Sequence, residues 1–253
     1  MWNDLDTAVY DGMIAQTIDI PRQDGGTLQA YYSRPIGDGP FPGIVLIPHM
    51  PGWDEYMREA ARRFTQHGYS VVCPNLYEKF GHGKPADVAQ IAMKSGGAKD
   101  DDVMKDTADS LAFLKNQTDA SDKVGVIGMC SGGRHTFLAA CTVKGFDAAV
   151  DCWGGACGSP GRGDPSAKQP IDYAADLQCP LMGIFGNEDR WPGPEEVDKM
   201  EAVLKDLGKD YIFHRYDGAG HGIWYYDKPM FRQEQAMDSF NKVLDFFEEH
   251  LKG

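Results

Sequence analysis

The chain has 253 residues, of which 42% are hydrophobic and 25% are charged, and its formal net charge is -13. This composition predicts a packed globular core with little disorder. The acidic balance excludes nucleic acid and anionic membranes as expected partners, because both bind basic surfaces.

The first predicted element is a hairpin. Residues 14–33 alternate in a strand-like manner on either side of Arg22-Gln23-Asp24-Gly25-Gly26, which has the composition of a turn. This pattern predicts antiparallel strands at one edge of a sheet.

Downstream of the hairpin, short apolar runs bounded by Gly and Pro alternate with stretches of helical spacing. The apolar runs predict buried strands at residues 43–48, 70–74, 124–128, 148–153, 180–186 and 211–216. The helical stretches are residues 56–67, 103–115, 131–141, 195–207 and 233–251. This alternation predicts an α/β fold with a mostly parallel central sheet and helices on both faces.

Two segments, 81–102 and 154–172, are rich in Gly, Pro, Lys and Asp, and we predict them as loops of the kind that form lids or pocket walls. No linker composition divides the chain, so we expect one domain over residues 1–253. The first residues have no basic segment followed by an apolar one, and no run of about 18 apolar residues occurs, which predicts a cytoplasmic protein. We expect a monomer.

The six cysteines form no Cys-x-x-Cys pair, and several lie in apolar strands, where cysteine behaves as a small hydrophobe. We expect free thiols, with a disulfide between Cys152 and Cys157 as the alternative. Histidine and carboxylate spacings show no zinc signature. The sequence therefore predicts neither a metal nor an organic cofactor.

The most informative motif is Gly128-Met129-Cys130-Ser131-Gly132, which follows the apolar strand at 124–128 and runs into a helix. This is the pattern of a nucleophile elbow, with cysteine in place of the more common serine. The glycines are required because side chains at the second neighbours of the nucleophile would collide with the backbone. The helix N-terminus that follows favours a thiolate or an oxyanion.

A thiol nucleophile needs a histidine base and a carboxylate that orients the histidine. Downstream of Cys130, the strand at 180–186 ends in a loop that carries Glu188 and Asp189, and the strand at 211–216 ends in a loop with His221 between glycines. The order nucleophile, acid, histidine is that of α/β-hydrolases. Asp189 is the first candidate acid, Glu188 the second, and His221 the candidate base.

Each of these residues also has a structural interpretation. Cys130 could be a buried thiol, Asp189 a helix cap and His221 a satisfied loop histidine. Their order and their positions beyond strand ends favour chemistry. His82, in another Gly-His-Gly, lies upstream of the elbow and is interpreted as a loop residue, with contact to the substrate as the alternative.

With these residues, the chain resembles the dienelactone hydrolase family of cysteine-dependent α/β-hydrolases (carboxymethylenebutenolidases) over nearly its whole length. Residues 44–52, followed by Met57-Arg58-Glu59, look like the family's first core strand and oxyanion loop, and residues 68–77 look like its next block. The resemblance implies an α/β-hydrolase fold and a triad of Cys130, Asp189 and His221. It also implies an oxyanion hole from the backbone amides of Met50 and Ser131.

The departures from the family concern the substrate. The resemblance implies a glutamate on the oxyanion loop, and the matching position here is His49. It also implies a substrate-binding arginine four residues after the catalytic histidine, and that position here is Tyr225. Because an arginine fork binds a carboxylate better than a phenol does, Tyr225 argues against true dienelactone specificity. Arg134 on the elbow helix either replaces that arginine or forms a structural ion pair.

His49 supports a separate hypothesis, since two imidazoles near one thiol could maintain a standing thiolate. A metal site of His49 with Asp54 and Glu55 is less consistent with the spacing than a solvated loop.

Aromatic residues follow the catalytic loops and either wall an apolar pocket or pack against helices. They are Trp53, Tyr77, Trp191, Trp224 and Tyr225.

The predicted function is hydrolysis of a small ester or lactone by acyl transfer, with a small molecule as the only expected partner. One alternative is a thioesterase or other acyl hydrolase on the same scaffold. The other is a redox-sensing or non-catalytic binding protein.

Overall fold

A computed structural model describes residues 12–50, 52–157 and 168–253. The strands are Met13–Pro21 (β1), Thr27–Pro35 (β2), Phe41–Ile47 (β3), Ser70–Pro74 (β4), Ala120–Met129 (β5), Ala148–Cys152 (β6), Leu181–Gly186 (β7) and Tyr211–Tyr216 (β8). The α-helices are Glu55–Gln66 (α1), Pro85–Lys94 (α2), Asp100–Lys115 (α3), Ser131–Thr142 (α4), Pro194–Asp206 (α5) and Gln233–Leu251 (α6). Across these described ranges, no helix has the length and apolar character needed to cross a membrane.

The strands form an eight-stranded sheet in the order β1-β2-β4-β3-β5-β6-β7-β8. β1 and β2 pair antiparallel, as do β2 and β4, whereas the pairs from β4 through β8 are parallel. The predicted antiparallel edge and mostly parallel sheet are therefore confirmed. The hairpin turn also lies where predicted, with the Gly25 amide donating to the Arg22 carbonyl at 3.2 Å.

Helices cover both faces of the sheet because the buried strands carry apolar residues on both sides. In β3, Val45 and Ile47 pack on the side covered by α2 to α5, and Ile44 and Leu46 pack on the side covered by α1 and α6. Parallel strands buried in this way read as continuous apolar runs rather than as alternation. This is why they are visible in the sequence as short runs bounded by Gly and Pro.

The predicted loop over residues 81–102 is wrong. It contains α2 and the first turn of α3. Lys84 precedes Pro85 at the first position of α2, where proline is well tolerated, and Val88, Ala89 and Ala92 are buried. A short helix anchored by small apolar residues is easily mistaken for a loop on composition. Of the second predicted loop, residues 158–167 lie outside the described ranges, and Pro170–Asp176 forms a 3-10 helix.

The parallel strands all end at the same edge of the sheet. The loops after β3, β5, β7 and β8 therefore meet there, and they carry His49, Cys130, Asp189 and His221, respectively. In open α/β sheets, ligands bind beyond the carboxyl ends of the strands. The candidate functional site therefore lies at this edge.

Candidate active site

Cys130 lies between the end of β5 and the start of α4 with φ 57° and ψ -120°. A positive φ is uncommon for a residue with a side chain and stores strain of about 1–3 kcal/mol. The surrounding structure holds the turn in place, since the Cys130 amide donates to the Cys152 carbonyl on β6 at 2.9 Å. The sequence pattern predicted this sharp turn from strand to helix.

The two glycines of the motif are required by the neighbouring backbone. A Cβ at Gly128 would lie 2.2 Å from the carbonyl oxygen of Gly132, and a Cβ at Gly132 would lie 2.2 Å from that of Ile47 on β3. Neither backbone atom can move away without disturbing a strand or the elbow helix. The spacing of the motif thus follows from how closely α4 approaches β3 and β5.

His221 and Asp189 are joined by a hydrogen bond of 2.8 Å between Nδ1 and Oδ2. Asp189 is buried, and its other oxygen accepts the Trp191 backbone amide at 2.8 Å, so that the carboxylate is fixed. Burial acts to lower the pKa of His221, but hydrogen bonds to Asp189 and Cys130 outweigh it and raise that pKa to about 10. The structure thus brings the three predicted residues together, with His221 between the thiol and the carboxylate.

The loop after β3 places the Met50 amide beside the elbow. This amide donates to the Ser131 Oγ at 3.1 Å. The Ser131 amide is the first of α4 and belongs to the helix N-terminal groups that have no intrahelical partner. A carbonyl oxygen that binds both amides would displace the Ser131 hydroxyl from Met50. Sequence analysis predicted a role for the Ser131 amide but did not predict this contact of its hydroxyl with the Met50 amide.

His49 is not on a solvated loop, and that prediction is wrong. Its side chain is only 7% exposed, and both ring nitrogens have partners: Nε2 lies 2.9 Å from Asp54 Oδ2, and Nδ1 lies 2.7 Å from the Tyr225 hydroxyl. The other Asp54 oxygen accepts the Met57 amide and caps α1. Sequence analysis assigned Asp54 to a solvated loop with His49, although an aspartate directly before a helix is a recognisable cap signal.

Tyr225 is enclosed by aromatic rings. Tyr56 meets it edge-on at 4.7 Å between ring centroids, and Trp153 does so at 5.8 Å. Burial raises the pKa of Tyr225 well above its usual value, and the charge of Cys130 acts in the same direction. Trp153 follows β6 and has a φ of 45°. Its ring also lies beside that of His221, with 6.4 Å between the ring centroids. No sequence motif marked Trp153.

The other aromatic candidates divide between packing and exposure. Trp224 is buried, and its indole nitrogen donates to Ser239 on α6 at 2.7 Å, which is the packing alternative. Trp191 is 51% exposed beyond Asp189. Trp53 is half-buried and donates to the Cys73 carbonyl at 3.1 Å.

Trp53 and Tyr77 line a cleft of about 340 Å³ at the β2 and β4 side of the same edge. Arg58 and His82 also line it, and its lining contains no carboxylate. His82 is therefore a loop residue that lines this cleft. The whole chain has a net charge of -13, whereas the side chains that line this cleft include no acid.

Arg134 forms the ion pair that was the structural alternative. Its guanidinium makes two hydrogen bonds to Asp100 at the start of α3, at 2.7 and 2.8 Å. His135 shares the same carboxylate at 3.1 Å. A substrate carboxylate would have to compete with Asp100 for Arg134. In the described part of the chain, no group of three or more His, Cys, Asp or Glu residues is arranged to hold a metal ion.

Comparison with known proteins agrees with this architecture. The family model "Dienelactone hydrolase family" matches residues 28–251. A "Putative carboxymethylenebutenolidase" of Methylorubrum extorquens is 32% identical over 95% of this chain and 82% of its own length, and one of Escherichia coli K12 is 29% identical over 95% and 89%. A crystal structure titled "Putative Dienelactone Hydrolase", from Klebsiella pneumoniae, superimposes with a TM-score of 0.84 at 27% identity, over 94% of this chain and 99% of that one. The chain belongs to the dienelactone hydrolase family.

Proposed function

We propose that this protein hydrolyses a small carboxylic ester or lactone by acyl transfer through Cys130, His221 and Asp189. Membership of the family makes the chain an ester or lactone hydrolase. The observation that supports the mechanism is the arrangement at the sheet edge, where a strained elbow presents Cys130 to a histidine held by a buried carboxylate. A monomeric, one-domain cytoplasmic enzyme remains our expectation.

The first step forms a thioester. The Cys130 sulfur attacks the carbonyl carbon, its proton passes to His221, and the resulting imidazolium protonates the departing alkoxide as the carbon–oxygen bond breaks. Asp189 keeps the proton-accepting nitrogen of His221 directed at the sulfur and stabilises the imidazolium. The raised pKa of His221 is consistent with an imidazolium that Asp189 stabilises between the two proton transfers.

The second step releases the acid. Water loses a proton to His221 and attacks the thioester carbon, the carbon–sulfur bond breaks, and His221 returns the proton to sulfur. In both steps the carbonyl oxygen becomes negative and is stabilised by the amides of Met50 and Ser131. Loss of one such donor typically costs about 10²–10³-fold in rate.

The surroundings favour a compact substrate with an apolar or aromatic part. Tyr225 stands where the family has a substrate-binding arginine, and its hydroxyl is already bonded to His49. The Arg134 guanidinium is bonded to Asp100. The cleft offers the aromatic side chains of Trp53 and Tyr77, among polar neighbours, on the loops that follow β3 and β4. These features argue against tight binding of dienelactone itself at the family's arginine position.

Two alternatives stay open to experiment. A thioester substrate would use the same residues, since the acyl group is transferred to Cys130 in either case. A redox-sensing thiol would need no ordered histidine and acid, and the 2.8 Å contact between His221 and Asp189 therefore favours hydrolysis.

The test is hydrolysis of a panel of aryl esters, aliphatic esters, thioesters and lactones, dienelactone included, by the wild type and by Cys130→Ala. We expect activity in the wild type and none above background in the variant. Cys157→Ala is the matched control, because Cys157 is another partly exposed thiol whose pKa burial raises to about 11. Equal rates for wild type and Cys130→Ala would overturn the proposal.

A further inference from the structure

A second chain of carboxylate, imidazole and hydroxyl stands beside the candidate triad. Asp54, His49 and Tyr225 are linked by contacts of 2.9 and 2.7 Å. His49 and Tyr225 are both buried, and they lie 176 positions apart in the sequence. A buried polar network of this kind is costly unless every member is satisfied, and the acyl-transfer scheme above leaves it without a role.

The direction of the hydrogens follows from Asp54. Its hydrogen bond to His49 and its capping of Met57 outweigh burial and hold the pKa of Asp54 below its usual value, so the group is an acceptor only. In the neutral ring, Nε2 of His49 must then carry the hydrogen, which leaves Nδ1 as an acceptor. The Tyr225 hydroxyl consequently donates its hydrogen to His49, and its oxygen, which the Trp153 indole nitrogen approaches, keeps a further lone pair for another donor.

Tyr225 is placed close to the reacting centre. It lies on the same loop as His221, and its ring packs against Trp153, which also packs against His221. The charge of Cys130 acts on the Tyr225 hydroxyl, which stays protonated. The His221 nitrogen that contacts Cys130 and the hydroxyl oxygen of Tyr225 are therefore both near the sulfur.

We infer that Asp54, His49 and Tyr225 form a positioning relay that holds the Tyr225 oxygen as an acceptor for the water that hydrolyses the acyl-enzyme. This inference rests on the proposed acyl-transfer function. One hydrogen of the water is bonded to His221 and is transferred to it. The other is bonded to Tyr225 and stays on oxygen, so Tyr225 never changes its protonation. Two fixed acceptors direct the lone pair of the water at the thioester carbon.

The relay predicts that Tyr225→Phe slows deacylation and spares acylation. The phenylalanine keeps the ring contacts with Tyr56 and Trp153 and removes only the oxygen. With an activated aryl ester, we expect a burst of released phenol close to one equivalent, followed by steady-state turnover reduced about 10- to 100-fold. Mass spectrometry of the stopped reaction should show the acyl group on Cys130.

Hydroxylamine gives a readout that a merely structural role would not change. It is a strong nucleophile that attacks thioesters without needing an oriented water, so it should restore turnover of Tyr225→Phe more than that of the wild type. His49→Gln, which keeps the tyrosine but removes the imidazole acceptor, should show the same defect to a smaller degree. Tyr226→Phe is the control, because its hydroxyl donates to Glu59 at the surface, and its burst and turnover should match the wild type.

A fall in burst rate and turnover together, or no change in either, would overturn the relay. If Tyr225→Phe fails to fold, His49→Gln decides, and wild-type deacylation in that variant would equally overturn it. A wild type that never acylates Cys130 would instead overturn the proposed function, so the two failures are distinguishable.

Discussion

Two of the histidine–aspartate pairs in the described part of the chain, His221 with Asp189 and His49 with Asp54, lie on loops at one sheet edge, and they differ in the group that the histidine contacts next. In each pair, one carboxylate oxygen contacts the imidazole and the other accepts a backbone amide, that of Trp191 for Asp189 and that of Met57 for Asp54. The His221 side chain is 33% exposed and has Cys130 as its third member, whereas that of His49 is 7% exposed and has Tyr225. The same pairing thus contacts a thiol in one case and a phenol hydroxyl in the other.

The largest expected effect comes from breaking the first pair. Asp189→Asn keeps the shape of the side chain but offers an amide to His221, which disfavours the tautomer that accepts the thiol proton. We expect kcat/KM for a favoured ester to fall about 10³- to 10⁴-fold. The matching change, Asp54→Asn, should lower it less than about tenfold. Comparable losses for the two variants would show that the pairs are not functionally distinct.

The second prediction concerns stability and pH. Because the folded-state pKa of His221 is raised to about 10, protonated His221 stabilises the fold fully below its unfolded pKa of about 6.5, and this contribution is lost as pH rises through about 10. The difference in unfolding free energy between wild type and His221→Gln should therefore shrink from about pH 6 to about pH 10. Urea unfolding across this range measures it, and a difference that does not change with pH would contradict the assigned hydrogen bonds.

The smallest expected effect is on the free energy of unfolding, and it concerns Asp54, which both caps α1 and contacts His49. Asparagine caps helices about as well as aspartate, so Asp54→Asn should change the free energy of unfolding by less than about 0.5 kcal/mol. Asp54→Ala removes the cap on α1 and the partner of His49, and should cost about 1–2 kcal/mol. Equal stability of the two variants in thermal or urea unfolding would show that the cap contributes little.

The two pairs also show what sequence analysis can find. Cys130, Asp189 and His221 each follow an apolar strand, and the parallel sheet alone brings strand ends together, so their meeting was predictable. The partnership of His49 with Tyr225 depends on side-chain packing across 176 residues, and neither residue type in isolation indicates it. Asp54 was within reach as a helix cap, yet composition favoured a solvated loop. Composition also favoured a loop at Pro85–Lys94, because the buried face of this helix consists of only three small apolar residues.

The cleft of Trp53 and Tyr77 and the candidate triad occupy different halves of the sheet edge. Its lining comes from the ends of β2 and β4 and the loops and helices that follow β3 and β4, whereas Cys130, Asp189 and His221 follow β5, β7 and β8. If the cleft binds substrate as proposed, we expect substitutions there to change substrate preference without altering the strands that position Cys130, Asp189 and His221. For directed evolution, libraries restricted to the cleft are then the way to seek new ester substrates at a constant triad.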